Sequence, residues 1–317
     1  MTLLVVVNAI SDNWGPERWR DRFAARMPGE VALWAHDPVD PASVRYVAAW
    51  KPPPGLLATF PRLKAIFNLG AGVDAILADP TLPDVPLIRV ATDDLTNRMS
   101  EYVLLHVLMA HRRQRELDEA QRHGVWLPKD QWAAKDLRVG VMGLGVIGID
   151  AARKLAMLGF DVAGWSRSPK AAEGIRCFAG SSELPAFLAR TDVLVVLLPL
   201  TPDTRGILDR KLFRGLARDG RIGGPVLINA GRGGLQVEAD ILEALDDGTL
   251  FAATLDVFEQ EPLPGEHRFW RHPKVTVTPH NAADSDADTI SDYVVRQIRA
   301  YEAGTPFENV VDRRVGY

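Results

Sequence analysis

A chain of 317 residues has room for two domains. Its 47% apolar and 25% charged content is that of a soluble globular protein and excludes disordered and fibrous classes. A formal net charge of −4 with no basic stripe argues against a nucleic-acid partner, and no apolar run is long enough to span a membrane. The single cysteine, Cys177, rules out an intramolecular disulfide and fits a reducing, cytoplasmic setting.

The apolar run within residues 1–10 lacks a basic flank and a small-residue cleavage site, so residues 3–7 read as a first strand rather than a leader. Residues 16–27 read as a helix with Pro16 at an early position. Strands follow at 31–34 and 44–50, then a stiff turn, Lys51-Pro52-Pro53-Pro54-Gly55. Another strand, 63–69, leads into Gly70-Ala71-Gly72-Val73-Asp74, which opens a helix, and 85–90 closes the region. Alternating strands and helices imply a parallel sheet. A long helix is expected from about Asn97 to Arg122, with a broad apolar face (Tyr102, Val103, Leu105, Leu108, Met109) suited to domain or dimer packing.

The most informative stretch begins at Leu137. Val139, Val141 and Met142 suit a buried strand, Gly143, Gly145 and Gly148 follow in the spacing G-x-G-x-x-G, and an apolar run then stops at Gly159. Gly143 permits the tight turn, Gly145 lets a pyrophosphate approach the backbone, and Gly148 lets the helix pack near the sheet. The helix N-terminus offers N–H groups and partial positive charge to phosphates. Strand, glycines and helix together point to a dinucleotide. The next strand, 161–165, ends not in the acid that bonds an NAD ribose but in Ser166-Arg167-Ser168, with Lys170 behind it. An Arg between two hydroxyls suits a 2′-phosphate, so NADP(H) is expected over NAD(H), with NAD(H) as the second option.

Four more strands end in chemistry-bearing loops. Residues 192–198 end at Pro199-Leu200-Thr201-Pro202, 226–229 at Ala230-Gly231-Arg232, 252–257 at Phe258, and 274–278 at Pro279-His280. Ligands of open α/β sheets bind at the carboxyl ends of strands, so Arg232, Glu261 and His280 should converge on the nicotinamide end of a crevice. A final helix, 286–303, capped by Gly304, can return to the first domain.

In order along residues 68–280, the chain resembles the D-2-hydroxyacid dehydrogenase family, and most its glyoxylate/hydroxypyruvate reductase branch. The resemblance rests on Asn68-Leu69-Gly70-Ala71-Gly72-Val73-Asp74, Met99-Ser100-Glu101-Tyr102-Val103, the three spaced glycines, Trp165-Ser166-Arg167-Ser168, Ile228-Asn229-Ala230-Gly231-Arg232-Gly233-Gly234, the stretch 256–264 and Thr278-Pro279-His280. It implies two Rossmann-like parallel-sheet α/β domains with a cleft between them. Residues 1–97, completed by 285–317, would bind substrate, and 98–284 would bind NADP. It implies a homodimer and hydride transfer from NAD(P)H to a small 2-oxo acid, glyoxylate or hydroxypyruvate, giving the D-2-hydroxy acid.

Hydride attack puts negative charge on the carbonyl oxygen, so a proton donor is needed beside it. His280 is the candidate, Glu261 would hold its imidazole and favour the protonated form, and Arg232 would bind the substrate carboxylate through its planar fork. Expected cofactor contacts are Gly143, Gly145, Val146, Ile147, Gly148, Ser166, Arg167, Ser168, Pro199, Leu200, Thr204, Asn229, Ala230, Gly231 and Asp256. Expected substrate contacts are Trp50, Lys51, Leu69, Gly70, Ala71, Gly72 and Arg232, and no metal ligand is expected. Two departures from the family pattern stand out: Asn281-Ala282-Ala283-Asp284 after His280, and a glycine-rich stretch at 218–225. The alternatives are a dehydrogenase for a different 2-oxo acid or for phosphite, and a dinucleotide-sensing interaction protein built on the same scaffold.

Overall fold

The computed structural model describes residues 2–8, 15–284 and 286–316. Residues 1, 9 and 10 of the N-terminal apolar run lie outside the described residues, as do Ser285 and Tyr317, the two ends of the segment expected to complete the first domain. The elements are β1 (Thr2–Val7), α1 (Pro16–Arg26), β2 (Val31–Leu33), β3 (Val44–Trp50), β4 (Ala65–Asn68), α2 (Asp74–Leu77), β5 (Leu87–Arg89), α3 (Asp93–His111), α4 (Gln114–Arg122), β6 (Arg138–Met142), α5 (Val146–Met157), β7 (Asp161–Ser166), β8 (Arg176–Ala179), α6 (Gly180–Ala189), β9 (Val193–Val196), α7 (Arg210–Arg214), β10 (Val226–Asn229), α8 (Glu238–Asp246), β11 (Ala252–Leu255), β12 (Val275–Val277) and α9 (Ala287–Glu302). The chain packs as two compact units, Met1–Leu95 with Ser285–Tyr317, and Thr96–Asp284.

The first unit is a five-stranded sheet in the order β2-β1-β3-β4-β5, parallel at every described pairing. This is the shorter doubly wound order, and its direction reverses between β1 and β3. Both sheet faces are buried, as parallel strands require. Val5, Ala48 and Phe67 pack with Trp19 and Phe23 of α1 and with Ile290, Val294 and Ile298 of α9. Arg26 ties the two helices by reaching Asp292 at 2.6 Å and Asp288 at 3.0 Å.

The second unit is a seven-stranded sheet in the order β12-β11-β10-β9-β6-β7-β8, again parallel at every described pairing. Alternate residues serve opposite faces. Val139, Val141, Val193, Val195 and Ile228 pack in one core cluster, while Met142, Leu194, Val196, Leu227 and Leu255 pack in another. The strand order reverses between β6 and β9, the position at which doubly wound folds place a nucleotide.

The expected single helix from Asn97 to Arg122 is two helices. α3 starts four residues earlier, where the Thr92 hydroxyl accepts a bond from the Leu95 N–H, and it ends at His111. Arg113 then takes a left-handed conformation, φ 58°, and α4 begins. Neither Gly nor Pro marks this break. The Arg113 guanidinium grips Glu116 at 2.8 Å and lies over the Trp132 ring, and these contacts offset the backbone cost. β8 and α6, which extend the nucleotide-side edge of the sheet, carry no strong periodic signal and were not among the expected elements.

At the N-terminal edge of the second sheet, the buried Asp192 carboxylate accepts from Arg138 three times. The donors are the backbone N at 2.9 Å, Nε at 3.0 Å and Nη2 at 2.7 Å. The pair pins β6 against the start of β9. Asp192→Ala strands a partly buried guanidinium that keeps only Asp219, and should cost about 3 kcal/mol of stability. Urea unfolding followed by tryptophan fluorescence checks this, and an unchanged midpoint would refute it.

Candidate active site

Parallel register brings the C-terminal ends of β6, β7, β9, β10, β11 and β12 to one edge of the second sheet. At β6, Gly143 has φ +116°, and an added Cβ would lie 2.8 Å from the Leu197 backbone. At Gly148 an added Cβ would lie 1.9 Å from the Gly143 carbonyl oxygen, so glycine is what allows α5 to lie against the strand. Gly145 differs: a Cβ there meets nothing within 4 Å. It precedes a twelve-residue helix that has no side-chain cap and no acid in its first turn. These features fit a pyrophosphate over Gly145, Val146 and Ile147.

Past β7, Arg167, Ser168 and Lys170 are exposed. Ser166 is not an outward hydroxyl as expected. It is buried, and it donates to the Ser168 carbonyl at 2.8 Å, shaping the turn that presents Arg167. Past β9, the Thr204 hydroxyl accepts from the Thr201 N–H at 2.8 Å and donates to the Pro199 carbonyl at 2.7 Å. It therefore closes the loop that carries Pro199 and Leu200.

Two expected cofactor contacts have other work. Asn229 is 0% exposed. Its amide donates to the Arg232 carbonyl at 3.2 Å and to Gln236 Oε1 at 3.0 Å, and its Oδ1 accepts from the Gly231 N–H at 3.0 Å. It builds the Ala230-Gly231-Arg232 loop from beneath. Asp256 is 1% exposed, and its carboxylate accepts from Thr278 Oγ1 at 2.6 Å and from the N–H groups of Asn281 and Ala282 at 3.1 Å each. It shapes the loop that carries His280.

The reactive constellation lies across those loops. His280 takes φ +53°, with its N–H bonded to the carbonyls of Asp256 at 2.8 Å and Thr278 at 3.1 Å. Its Nδ1 lies 2.7 Å from Glu261 Oε2, and the other carboxylate oxygen of Glu261 accepts from the Phe258 N–H at 3.1 Å. Glu261 is thus aimed from its own loop, and Nε2 is left as the imidazole nitrogen that can serve a reacting group. Arg232 is half-buried in extended backbone, with Nη1 on the Gly231 carbonyl at 2.7 Å. Next to it, a Cβ on Gly233 would fall 1.9 Å from Phe258 backbone atoms, so the Arg232 and Glu261 loops pack backbone to backbone.

Gln236 joins the same two loops. It accepts from Asn229, and its Nε2 donates to the Val257 carbonyl at 3.0 Å. Sequence reading missed it, because a glutamine after Gly233-Gly234-Leu235 has no pattern that reveals burial.

In the first unit, Trp50 ends β3 and its ring lies against Gly70, where a Cβ would be 2.4 Å from the nearest ring carbon. Lys51 is exposed, with φ +48°, and its Nζ is 5.9 Å from the Trp50 ring centroid. The buried Asn68 donates to the carbonyls of Gly70 at 2.7 Å and Gly72 at 2.9 Å, fixing the loop through Ala71. Leu69 does not fit the role expected of it. Its side chain is 0% exposed within the core, so it cannot line an open pocket.

Residues 104–282 match the family model described as D-isomer specific 2-hydroxyacid dehydrogenase, NAD binding domain. The chain is 44% identical over 308 residues to glyoxylate/hydroxypyruvate reductase A of Serratia proteamaculans, covering 95% of this chain and 96% of that protein. Among solved structures it is similar to the NADPH-dependent glyoxylate/hydroxypyruvate reductase of Sinorhizobium meliloti in complex with NADP and sulfate. That match has a TM-score of 0.93 and 48% identity, over 100% of this chain and 99% of that one. It is also similar to a D-isomer specific 2-hydroxyacid dehydrogenase of Xanthobacter autotrophicus Py2 in complex with NADPH and MES. Here the TM-score is 0.91 and the identity 43%, over 100% of this chain and 99% of that one.

The two glycines at the head of α5 should separate in stability. Gly148→Ala forces a backbone overlap and lowers the urea midpoint, whereas Gly145→Ala leaves it unchanged. Equal midpoints would contradict the packing described for α5.

Proposed function

The chain belongs to the D-isomer specific 2-hydroxyacid dehydrogenase family, and we infer that it is a glyoxylate/hydroxypyruvate reductase that prefers NADPH and yields the D-2-hydroxy acid. The observation that carries this reading is the His280–Glu261 pair at 2.7 Å, set on the same strand-end edge of the second sheet as the uncapped N-terminus of α5. No helix among the described residues is long and apolar enough to cross a membrane.

Gly145, Val146, Ile147 and Gly148 would hold the pyrophosphate, and Arg167 with Ser168 and Lys170 would hold the 2′-phosphate. The missing acid after β7 removes the repulsion that would otherwise oppose it. Bound there, the nicotinamide supplies the hydride to the substrate carbonyl carbon. Arg232 binds the substrate carboxylate and draws charge toward the carbonyl oxygen. Nδ1–H of His280 donates to Glu261, which orients the ring, and Nε2 delivers the proton to the oxygen as negative charge develops there.

We also propose a homodimer. Leu105 and Leu108 on α3 are exposed, as is Val125, and Trp126 is 93% exposed, apolar side chains that a second copy would cover. Light scattering should return twice the chain mass, and a monomer mass would contradict the dimer.

His280→Ala should lower kcat by about 10²–10⁴-fold with NADPH binding retained. Arg232→Ala should raise KM for the oxo acid by about 10–100-fold. Arg167→Ala should weaken NADPH about tenfold with little change for NADH. Steady-state kinetics with both cofactors test all three. Parental turnover in His280→Ala would sink the mechanism, and an unchanged cofactor ratio in Arg167→Ala would sink the 2′-phosphate assignment.

A further inference from the structure

We propose that the hydroxyls of Tyr102 and Thr278 are positioning groups for His280, acting through the buried carboxylate of Asp256. The inference rests on His280 being the proton donor and adds two residues to that reading.

Asp256 brackets His280. Its main-chain carbonyl accepts the His280 N–H at 2.8 Å, and its carboxylate accepts the next two N–H groups, of Asn281 and Ala282, at 3.1 Å each. His280 stands at φ +53°, a region that a side-chain-bearing residue keeps only when its surroundings over-determine it. The imidazole therefore reaches Glu261 from a backbone that Asp256 holds in an uncommon conformation.

The carboxylate must in turn be held. Thr278 Oγ1 lies 2.6 Å from Asp256 Oδ1, and a hydroxyl has one proton, which goes to the carboxylate. The remaining contact of Thr278 Oγ1 is Tyr102 Oη at 2.8 Å, so the phenol is the donor there. The order is Tyr102 to Thr278 to Asp256, a partly buried chain in which each bond polarises the next. Tyr102 is buried on α3, and the His106 ring, one turn on, packs on its ring at 4.2 Å between centroids. Burial raises the phenol pKa, so Tyr102 keeps its proton across the working range.

Tyr102→Phe and Thr278→Val each delete one hydroxyl and preserve shape, and Thr278→Ser restores the hydroxyl. Thr278→Val should lower kcat with hydroxypyruvate by about 10–100-fold. Tyr102→Phe should lower it by about 3–10-fold. Thr278→Ser should stay within about twofold of the parent, as should KM and NADPH affinity in every variant. The double variant Tyr102→Phe/Thr278→Val should be no slower than Thr278→Val alone, because Tyr102 acts through Thr278. Amide exchange at Asn281 and Ala282 should quicken in Tyr102→Phe and Thr278→Val and not in Thr278→Ser. Parental kcat and exchange in Tyr102→Phe would overturn the proposal, as would a Thr278→Ser variant as slow as Thr278→Val. If Thr278→Val fails to fold, Tyr102→Phe and Thr278→Ser decide the matter by the same readouts. A parent enzyme inactive on every 2-oxo acid would refute the functional reading, and the exchange data would then judge the hydrogen-bond chain separately.

Discussion

A carboxylate buried to 1% exposure at the end of β11 is the constraint on which the reactive side chains depend. Taking Asp256 out of water is costly unless its lone pairs are filled. They are filled by a threonine hydroxyl and by the N–H groups of Asn281 and Ala282, the residues that follow His280. The same bonds that make burial tolerable therefore fix the path of the loop. His280 emerges with positive φ and Nδ1 at 2.7 Å from Glu261. The imidazole is aimed by the backbone as much as by its carboxylate partner.

Arg232 is placed by the same logic one strand over. Asn229 fills its hydrogen-bonding capacity within its own loop, and Gln236 carries the connection to the Val257 carbonyl. Gly233 allows that loop to meet Phe258 at backbone distance. The β10 and β11 loops are thus tied to each other, and Arg232 has a set position relative to Glu261. Rigid placement of this kind is how a protein prepays the orientation of reacting groups. The scaffold beneath is the parallel register of the second sheet, which gathers the strand ends at one edge.

Features that depend on local pattern were legible in the chain itself. The spaced glycines after an apolar strand, the absence of an acid after β7 and the positions of Arg232, Glu261 and His280 at strand ends all follow from spacing and residue type. Features that depend on where a side chain turns were not. Ser166, Asn229 and Asp256 are polar residues beside a nucleotide motif, and sequence alone favours contact with a ligand. The structure turns each of them inward to build a loop. Leu69 likewise sits beside the partly exposed Gly70, Ala71 and Gly72, yet its side chain belongs to the core. The break between α3 and α4 rests on Arg113 gripping Glu116 and covering Trp132, and neither Gly nor Pro announces it.

The chemistry at stake is hydride transfer from NADPH to a small 2-oxo acid. The most direct test is to follow cofactor absorbance with glyoxylate and hydroxypyruvate, using NADPH and NADH in parallel. Rapid loss of NADPH and slower loss of NADH are expected with at least one of the two acids. No loss of either cofactor, from protein shown to bind NADPH, would contradict that chemistry.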